Sequence, residues 1–319
     1  MRIVAALGGN ALLERGEPPD SGIQLHHVRA AVEALTPLAD GNQLVITHGN
    51  GPQVGLLALE SAGDQSLSVP YPFDVLGAET QGMIGYWILQ ALQNALPTRE
   101  VAALITQTLV SGADPAFADP TKFVGPVYEE AEAKRRAAAA GWTVKPDGPF
   151  WRRVVPSPVP RRIVEIGLIR RLFDAGVVVV CAGGGGVPVI CNDDAELEGV
   201  EAVVDKDATA ALLAEALDAD ALLLLTDVAT VEIGYGTPDA RPITRTTPAL
   251  LRAHPFPAGS MGPKVDAVCR FVEVTGGLAA IGALADAGAI LAGTAGTLVS
   301  PYGRYPDGHP QDAGTSSGR

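Results

Sequence analysis

Short apolar runs alternate with amphipathic stretches along most of this chain. Residues 3–7 (Ile-Val-Ala-Ala-Leu) run straight into Gly8-Gly9-Asn10, the pattern of a buried parallel strand that ends in a tight turn. Val28, Val32 and Leu35 recur at helical spacing and predict a helix over 25–38. Residues 44–47 predict a second strand, followed by the loop His48-Gly49-Asn50-Gly51-Pro52. A long helix is expected over 75–96 and a third strand over 101–109. After a break, the rhythm resumes with a helix over 163–175, a β-branched strand over 177–181 and the loop Gly183-Gly184-Gly185-Gly186. A strand over 200–204 is expected to lead into a helix over 208–217. Next come a strand over 221–225, a hairpin-like region around Gly234-Tyr235-Gly236, a helix over 265–274 and a strand over 279–282.

Near-continuous apolar strands between helices indicate an α/β fold with a mostly parallel sheet covered on both faces. In such sheets ligands bind beyond the carboxyl ends of the strands. The glycine loops at Gly8, Gly49 and Gly183 all fall at such ends. The break, over 111–160, is rich in Pro, Gly and charge and holds a short helical stretch near 129–140. It is too long for a plain loop and reads as a small inserted subdomain, a candidate lid, over about 112–160. Residues 301–319 are polar and rich in Gly, Pro and Ser, and read as a flexible tail.

Composition narrows the function. The formal charge of −13 on 319 residues argues against nucleic acid or an anionic membrane as the main partner. A local cationic pocket can still take a small anion. Cys181, Cys191 and Cys269 form no CxxC pair and read as buried thiols of a reducing compartment. No signal peptide or membrane span is expected, so the reading is a soluble cytoplasmic protein. Histidines 26, 27, 48, 254 and 309 show no metal spacing, and no residue is assigned as a metal ligand. His48 alone sits in a ligand-type loop, where a loop-fixing hydrogen bond is the simpler role.

Lysine usage points to the chemistry. Of 23 basic residues only 5 are lysines, and Lys122, Lys206 and Lys264 stand at Gly-, Pro- or Asp-marked breaks. A compact ammonium charge at a strand end suits phosphoryl transfer. Lys206 lies between Asp205 and Asp207 at an expected strand-to-helix junction, where Asp207 suits an N-cap before Ala208. Lys264 follows Pro263 at a helix start, a position the helix dipole disfavours unless an anion lies between. Lys122, by spacing alone, reads as solvent-exposed. Asp227 ends a buried strand and could hold a nucleotide group or cap a turn. Tyr235 could stack on a base or pack on the surface. There is no Walker A loop, and Val187-Pro188 after the four glycines breaks the GxGxxG spacing. The letters Gly-Thr-Ser-Ser-Gly at 314–318 follow no strand and are set aside as a nucleophile motif.

Together the segments Ala6–Leu12, Thr47–Gly55, Gln81–Tyr86, Asp119–Lys122, Gly183–Pro188, Val204–Asp207, Thr226–Val228, Ser260–Lys264 and Gly293–Thr297 resemble, in order, the carbamate kinases of the amino-acid kinase family. The strings His-Gly-Asn-Gly-Pro-Gln-Val-Gly, Pro-Thr-Lys and Ser-Met-Gly-Pro-Lys carry most of the specificity. After Lys122 the chain reads Phe-Val-Gly-Pro-Val-Tyr where the family pattern is Pro-Ile-Gly-Pro-Phe-Tyr.

The resemblance implies an open αβα sandwich, one amino-acid kinase domain over about 1–300 with its nucleotide-binding part over about 205–300, and a homodimer. It implies reversible transfer between ATP and carbamate, giving ADP and carbamoyl phosphate, with Mg²⁺, in arginine or purine breakdown. By the same resemblance Lys206, Lys264, Lys122 and Asp207 are catalytic. Gly8, Gly9, Asn10, Gly49, Asn50, Gly51, Gly184 and Gly185 would surround the carbamate and the phosphoryl group. Asp227, Tyr235, Met261 and Gly262 would line the nucleotide site. The nearest rival is another acyl or small-phosphate kinase of this fold; a rival of another class is a non-catalytic nucleotide sensor.

Overall fold

The computed structural model describes residues 1–14, 16–257 and 259–303, with the backbone alone at Asn10. All but the first three residues of the predicted tail lie outside the described residues. The central sheet is built from β1 (Arg2–Leu7), β2 (Gln43–His48), β3 (Val101–Ala103), β4 (Val178–Val180), β5 (Ala221–Thr226), β6 (Arg245–Thr246), β7 (Leu278–Ala283) and β8 (Thr297–Val299). Their order across the sheet is β6-β8-β7-β5-β1-β2-β4-β3. Among these neighbours only β7 and β8 run antiparallel. The chain therefore builds outward from β1 in both directions, and the crevice where the order reverses opens beside it.

The period-2 alternation of β1 assigns its two faces. Ile3, Ala5 and Leu7 join one apolar cluster with Val28, Val32, Leu35, Ile84, Ile88 and Leu92. Those partners lie on α1 (Ser21–Ala39) and α3 (Phe73–Ala95). Val4 and Ala6 join the opposite cluster with Phe173, Leu213, Val268 and Phe271. Those come from α5 (Ile166–Asp174), α6 (Lys206–Ala216) and α8 (Met261–Thr275), with Leu251 of the short α7 (Pro248–Arg252) in the same cluster. The result is the αβα sandwich expected from strands apolar on both faces.

Several boundaries differ from expectation. The strand expected over 101–109 is two strands in two sheets. After Ala103 the chain leaves the central sheet, and Gln107–Leu109 pairs with Val187–Cys191 instead. The helix expected from 163 begins at Ile166, because Ile163 belongs to a short strand against Thr108. The strand expected over 200–204 is not one: Leu197–Gly199 is the strand, and the chain runs irregularly from there to α6. The loop after β2 proves to start a helix, α2 (Gly51–Gly63), with Pro52 in its first turn, where a missing N–H costs nothing. Cys181 and Cys269 are buried, but Cys191 is exposed at a strand end.

The break at 111–160 contains a three-stranded antiparallel sheet of Lys122–Tyr128, Phe150–Val155 and Thr143–Asp147, with α4 (Glu130–Ala140) in the same stretch. It meets the body backbone to backbone. A Cβ on Gly55 of α2 would lie 2.8 Å from the Gly125 Cα, so only glycine permits this approach. Gly55→Ala is expected to destabilise the protein by about 1–3 kcal/mol through overpacking. The measurement is a fall in the urea midpoint with an unchanged slope.

Candidate active site

Three helix starts and three glycine loops converge beyond the carboxyl ends of β1, β2, β4 and β5. Lys206 opens α6, and its ammonium donates to Asp207 Oδ1. Lys264 lies in the first turn of α8, which packs beside α6, and donates to Asp207 Oδ2 at 3.0 Å. One carboxylate thus spans two lysines whose side chains are only 14% and 13% exposed. Burial raises the pKa of Asp207, but the two ammonium groups overcome it and hold the carboxyl well below the ordinary carboxylate range. Burial lowers Lys206, and Lys264 pushes the same way, while Asp207 opposes both.

Asp205, not Asp207, is the N-cap of α6. Its Oδ1 accepts the N–H groups of Asp207 at 2.9 Å and Ala208 at 3.1 Å. Either aspartate fits the spacing, but a cap must precede the helix, and the helix begins at Lys206. The other oxygen of Asp205 accepts Lys122 at 2.7 Å. Lys122 is therefore not a free surface lysine: the inserted sheet carries it onto the helix cap. Three ammonium groups against two carboxylates leave this cluster one net positive charge.

His48 lies beneath. Its Nδ1 donates to the Gly49 carbonyl at 2.9 Å, the loop-fixing role. Burial lowers its pKa to about 4, and the Lys206 charge adds to the effect. The imidazole is neutral at physiological pH, and its one ring proton is committed to the Gly49 carbonyl.

The glycines serve close packing as much as ligand approach. A Cβ on Gly49 would lie 2.9 Å from Gly9, one on Gly183 would strike His48 at 2.4 Å, and one on Gly184 would strike Asn50 at 2.3 Å. Gly185 backs onto the Val204 carbonyl, where a Cβ would come within 2.6 Å. The N–H groups of Gly8 and Gly49 extend the sheet ladder to Leu225 and Leu7, so they do not face a ligand. Helical turns starting at Gly9, Gly51 and Gly183 have no side-chain cap, which leaves first-turn N–H groups without an intrahelical partner. Asn50 is buried and donates to Thr80 at 2.8 Å. The Asn10 side chain lies outside the described residues.

The expected nucleotide residues separate. Asp227 follows β5 and accepts the Thr226 hydroxyl at 3.0 Å. Met261 packs on the core, and Gly262 donates to Pro257 at 2.9 Å. Tyr235 stands 71% exposed in the turn joining Val231–Ile233 to Arg241–Ile243. The core takes none of its ring.

Sequence reasoning missed a polar layer behind the glycines. Gln81 binds Thr106 through both ends of its amide, and Thr106 Oγ1 accepts the Ala182 N–H at 2.8 Å. Thr108 and Thr209 both donate to the Gly185 carbonyl. Buried threonines inside apolar runs were the available signal.

A model of the amino acid kinase family matches residues 1–281. A carbamate kinase of Rhizobium meliloti (strain 1021) is 52% identical over 303 residues, covering 94% of this chain and 93% of its own. One from Escherichia coli (strain K12) is 49% identical over 298 residues, covering 93% and 99%. The structure of a Giardia lamblia carbamate kinase bound to AMP-PNP superposes with a TM-score of 0.86 at 40% identity, covering 94% of this chain and 98% of that one. The chain belongs to the amino acid kinase family. It is a phosphotransferase enzyme.

Two outcomes follow from the charges. Asp207→Asn removes the group that keeps Lys206 protonated, so the alkaline limb of the pH–rate profile should move down by about 1–3 pH units, with a lower plateau. His48 works on stability. With a folded pKa near 4 against 6.5 unfolded, the unfolded chain alone takes a proton between those values. Stability is therefore lost as pH falls through that window, by on the order of 3 kcal/mol. Urea titrations across it should show that slope in the wild type and a flatter one in His48→Asn.

Proposed function

We propose that this enzyme is a carbamate kinase, transferring a phosphoryl group reversibly between ATP and carbamate to give ADP and carbamoyl phosphate. The observation that carries the proposal is the single carboxylate, Asp207, holding Lys206 and Lys264 together at the carboxyl ends of the sheet. The substrate assignment is supported by identity near one half to carbamate kinases over nearly the whole chain.

The chemistry asks little of acid–base groups. A carbamate oxygen is already anionic, so no strong general base is needed. The oxygen attacks the γ-phosphorus of ATP, a new O–P bond forms, the bond to the β,γ-bridging oxygen breaks, and ADP leaves. Charge spreads over the phosphoryl oxygens along the way. Lys206 and Lys264 offset it, and first-turn N–H groups near Gly9 and Gly51 add fixed dipoles. Lys122 reaches in from the insertion, which acts as a lid over about 112–160. Residues 205–300, with Asp227, Tyr235, Met261 and Gly262, form the nucleotide side.

Mg²⁺ is expected with the nucleotide. Among the described residues no cluster of three His, Cys, Asp or Glu could hold it. Both oxygens of Asp207 are committed to lysines. Bound with the nucleotide, the ion would neutralise charge on its phosphates. Among the described residues no helix is long and apolar enough to cross a membrane. We assign the enzyme to the cytoplasm, as a homodimer, running toward ATP synthesis in arginine or purine catabolism.

The test is ATP formation from ADP and carbamoyl phosphate, with Mg²⁺ present and then withheld. Lys206→Ala should lower kcat by about 10²–10³-fold with an unchanged circular dichroism spectrum. Unchanged turnover would sink the assignment. A panel with acetate and N-acetylglutamate as acceptors for ATP should leave carbamate as the preferred one.

A further inference from the structure

The five residues from Glu201 to Asp205 carry Lys206 into place, yet they belong to no sheet. Their fastening comes largely from the insertion. Glu201 Oε1 accepts Arg153 at 3.0 Å, the Val203 N–H donates to the Pro156 carbonyl at 3.0 Å, and Asp205 accepts Lys122 at 2.7 Å. On the opposite side Gly185 closely approaches Val204, the Phe73 N–H donates to Glu201, and Val203 packs on the cluster of Val54, Phe73 and Leu76. A segment without ladder partners takes its position from what it is tied to, and here three ties lead to one subdomain.

The Arg153 tie is the rigid one. Its guanidinium carbon lies 4.8 Å from the Phe73 ring centroid and 4.6 Å from that of Trp142. Trp142 belongs to the insertion and Phe73 opens α3, so the cation is sandwiched between the two bodies. Its ion-pair partner closes the triangle, because Glu201 Oε2 accepts the Phe73 N–H at 2.8 Å. The guanidinium Nε is buried with no partner among the described residues. The site thus uses the planar faces and one edge of the group, which lysine cannot reproduce. Lys122, on a flexible stem, makes a point-charge contact that an anionic substrate can compete for.

We propose that Arg153 and Glu201 are positioning residues: they fasten the insertion to the segment bearing Lys206, so that docking of the insertion sets where that lysine stands and lets Lys122 reach the site. This deepens the carbamate kinase reading and rests on it for the substrate.

The test uses the full-length enzyme with Arg153→Lys, Arg153→Ala and Glu201→Gln, each alone and combined with Lys122→Ala. In ATP formation from ADP and carbamoyl phosphate, each single variant should lose about tenfold in kcat/KM, and the further effect of Lys122→Ala should shrink by a similar factor in those backgrounds. Without any substrate, amide hydrogen exchange should rise over 201–205 and 122–155 and stay unchanged in the central strands. Additive effects with Lys122→Ala, or unaltered exchange over 201–205, overturn the proposal. Rescue by Arg153→Lys to wild-type values does so too, because it reduces the role to charge. If the wild type forms no ATP from carbamoyl phosphate, the substrate reading fails, and the exchange measurement still decides the fastening.

Discussion

The site depends on one carboxylate shared by two buried lysines. Two ammonium groups at that depth repel each other and lose hydration, and either alone would favour releasing its proton. Asp207 offsets both effects at once, one oxygen to each lysine. The cost of burying Asp207 is met in turn by the same lysines and by its place in the first turn of α6, where the helix dipole favours negative charge. Removing Asp207 leaves both lysines uncompensated. That is why Asp205, the cap that starts the helix at Lys206, and the α6–α8 packing that brings Lys264 alongside belong to the same machinery.

The glycine loops make this arrangement possible in a different way from the one their sequence suggests. Glycine loops at carboxyl strand ends read as places where backbone surrounds a ligand. In the folded chain the N–H groups of Gly8 and Gly49 are spent on the sheet, and Gly183, Gly184 and Gly185 lie against His48, Asn50 and Val204. Side chains there would push apart the loops that hold the lysine segment. N–H groups without an intrahelical partner remain instead in the uncapped turns that start at Gly9 and Gly51. Behind the loops Gln81, Thr106, Thr108 and Thr209 hold the backbone carbonyls and N–H groups that have left the ladder.

Much of this was legible because its signals are local. Apolar runs of β1, β2, β4 and β5 announce a buried sheet, and lysines at breaks announce a charged site. What was not legible depends on distant contacts. Residues 101–109 keep an apolar character across two strands, and only the competing edge of Val187–Cys191 splits them. Val203 and Val204 look like strand residues, but Val203 gives its N–H to Pro156 of the insertion and Val204 lies against Gly185. Lys122 looks solvated because its partner, Asp205, is 83 residues away in the chain. Of the two aspartates flanking Lys206, nothing in the spacing tells the cap from the bridge.

An acidic protein that works on anions needs its field to be local. A net charge of −13 would repel nucleotide and carbamoyl phosphate at long range, yet salt screens exposed charges beyond roughly 8 Å at physiological ionic strength. The lysine cluster is mostly buried, so its charges are screened far less and act at short range. His48, held neutral by burial, adds no charge to the cluster's single positive excess. Moving Lys122 from Asp205 onto an anion leaves that net charge unchanged and only redistributes it, bringing an ammonium group closer to the phosphoryl oxygens. Such contacts lower the barrier, in either direction of transfer, to the extent that they tighten as charge spreads over those oxygens.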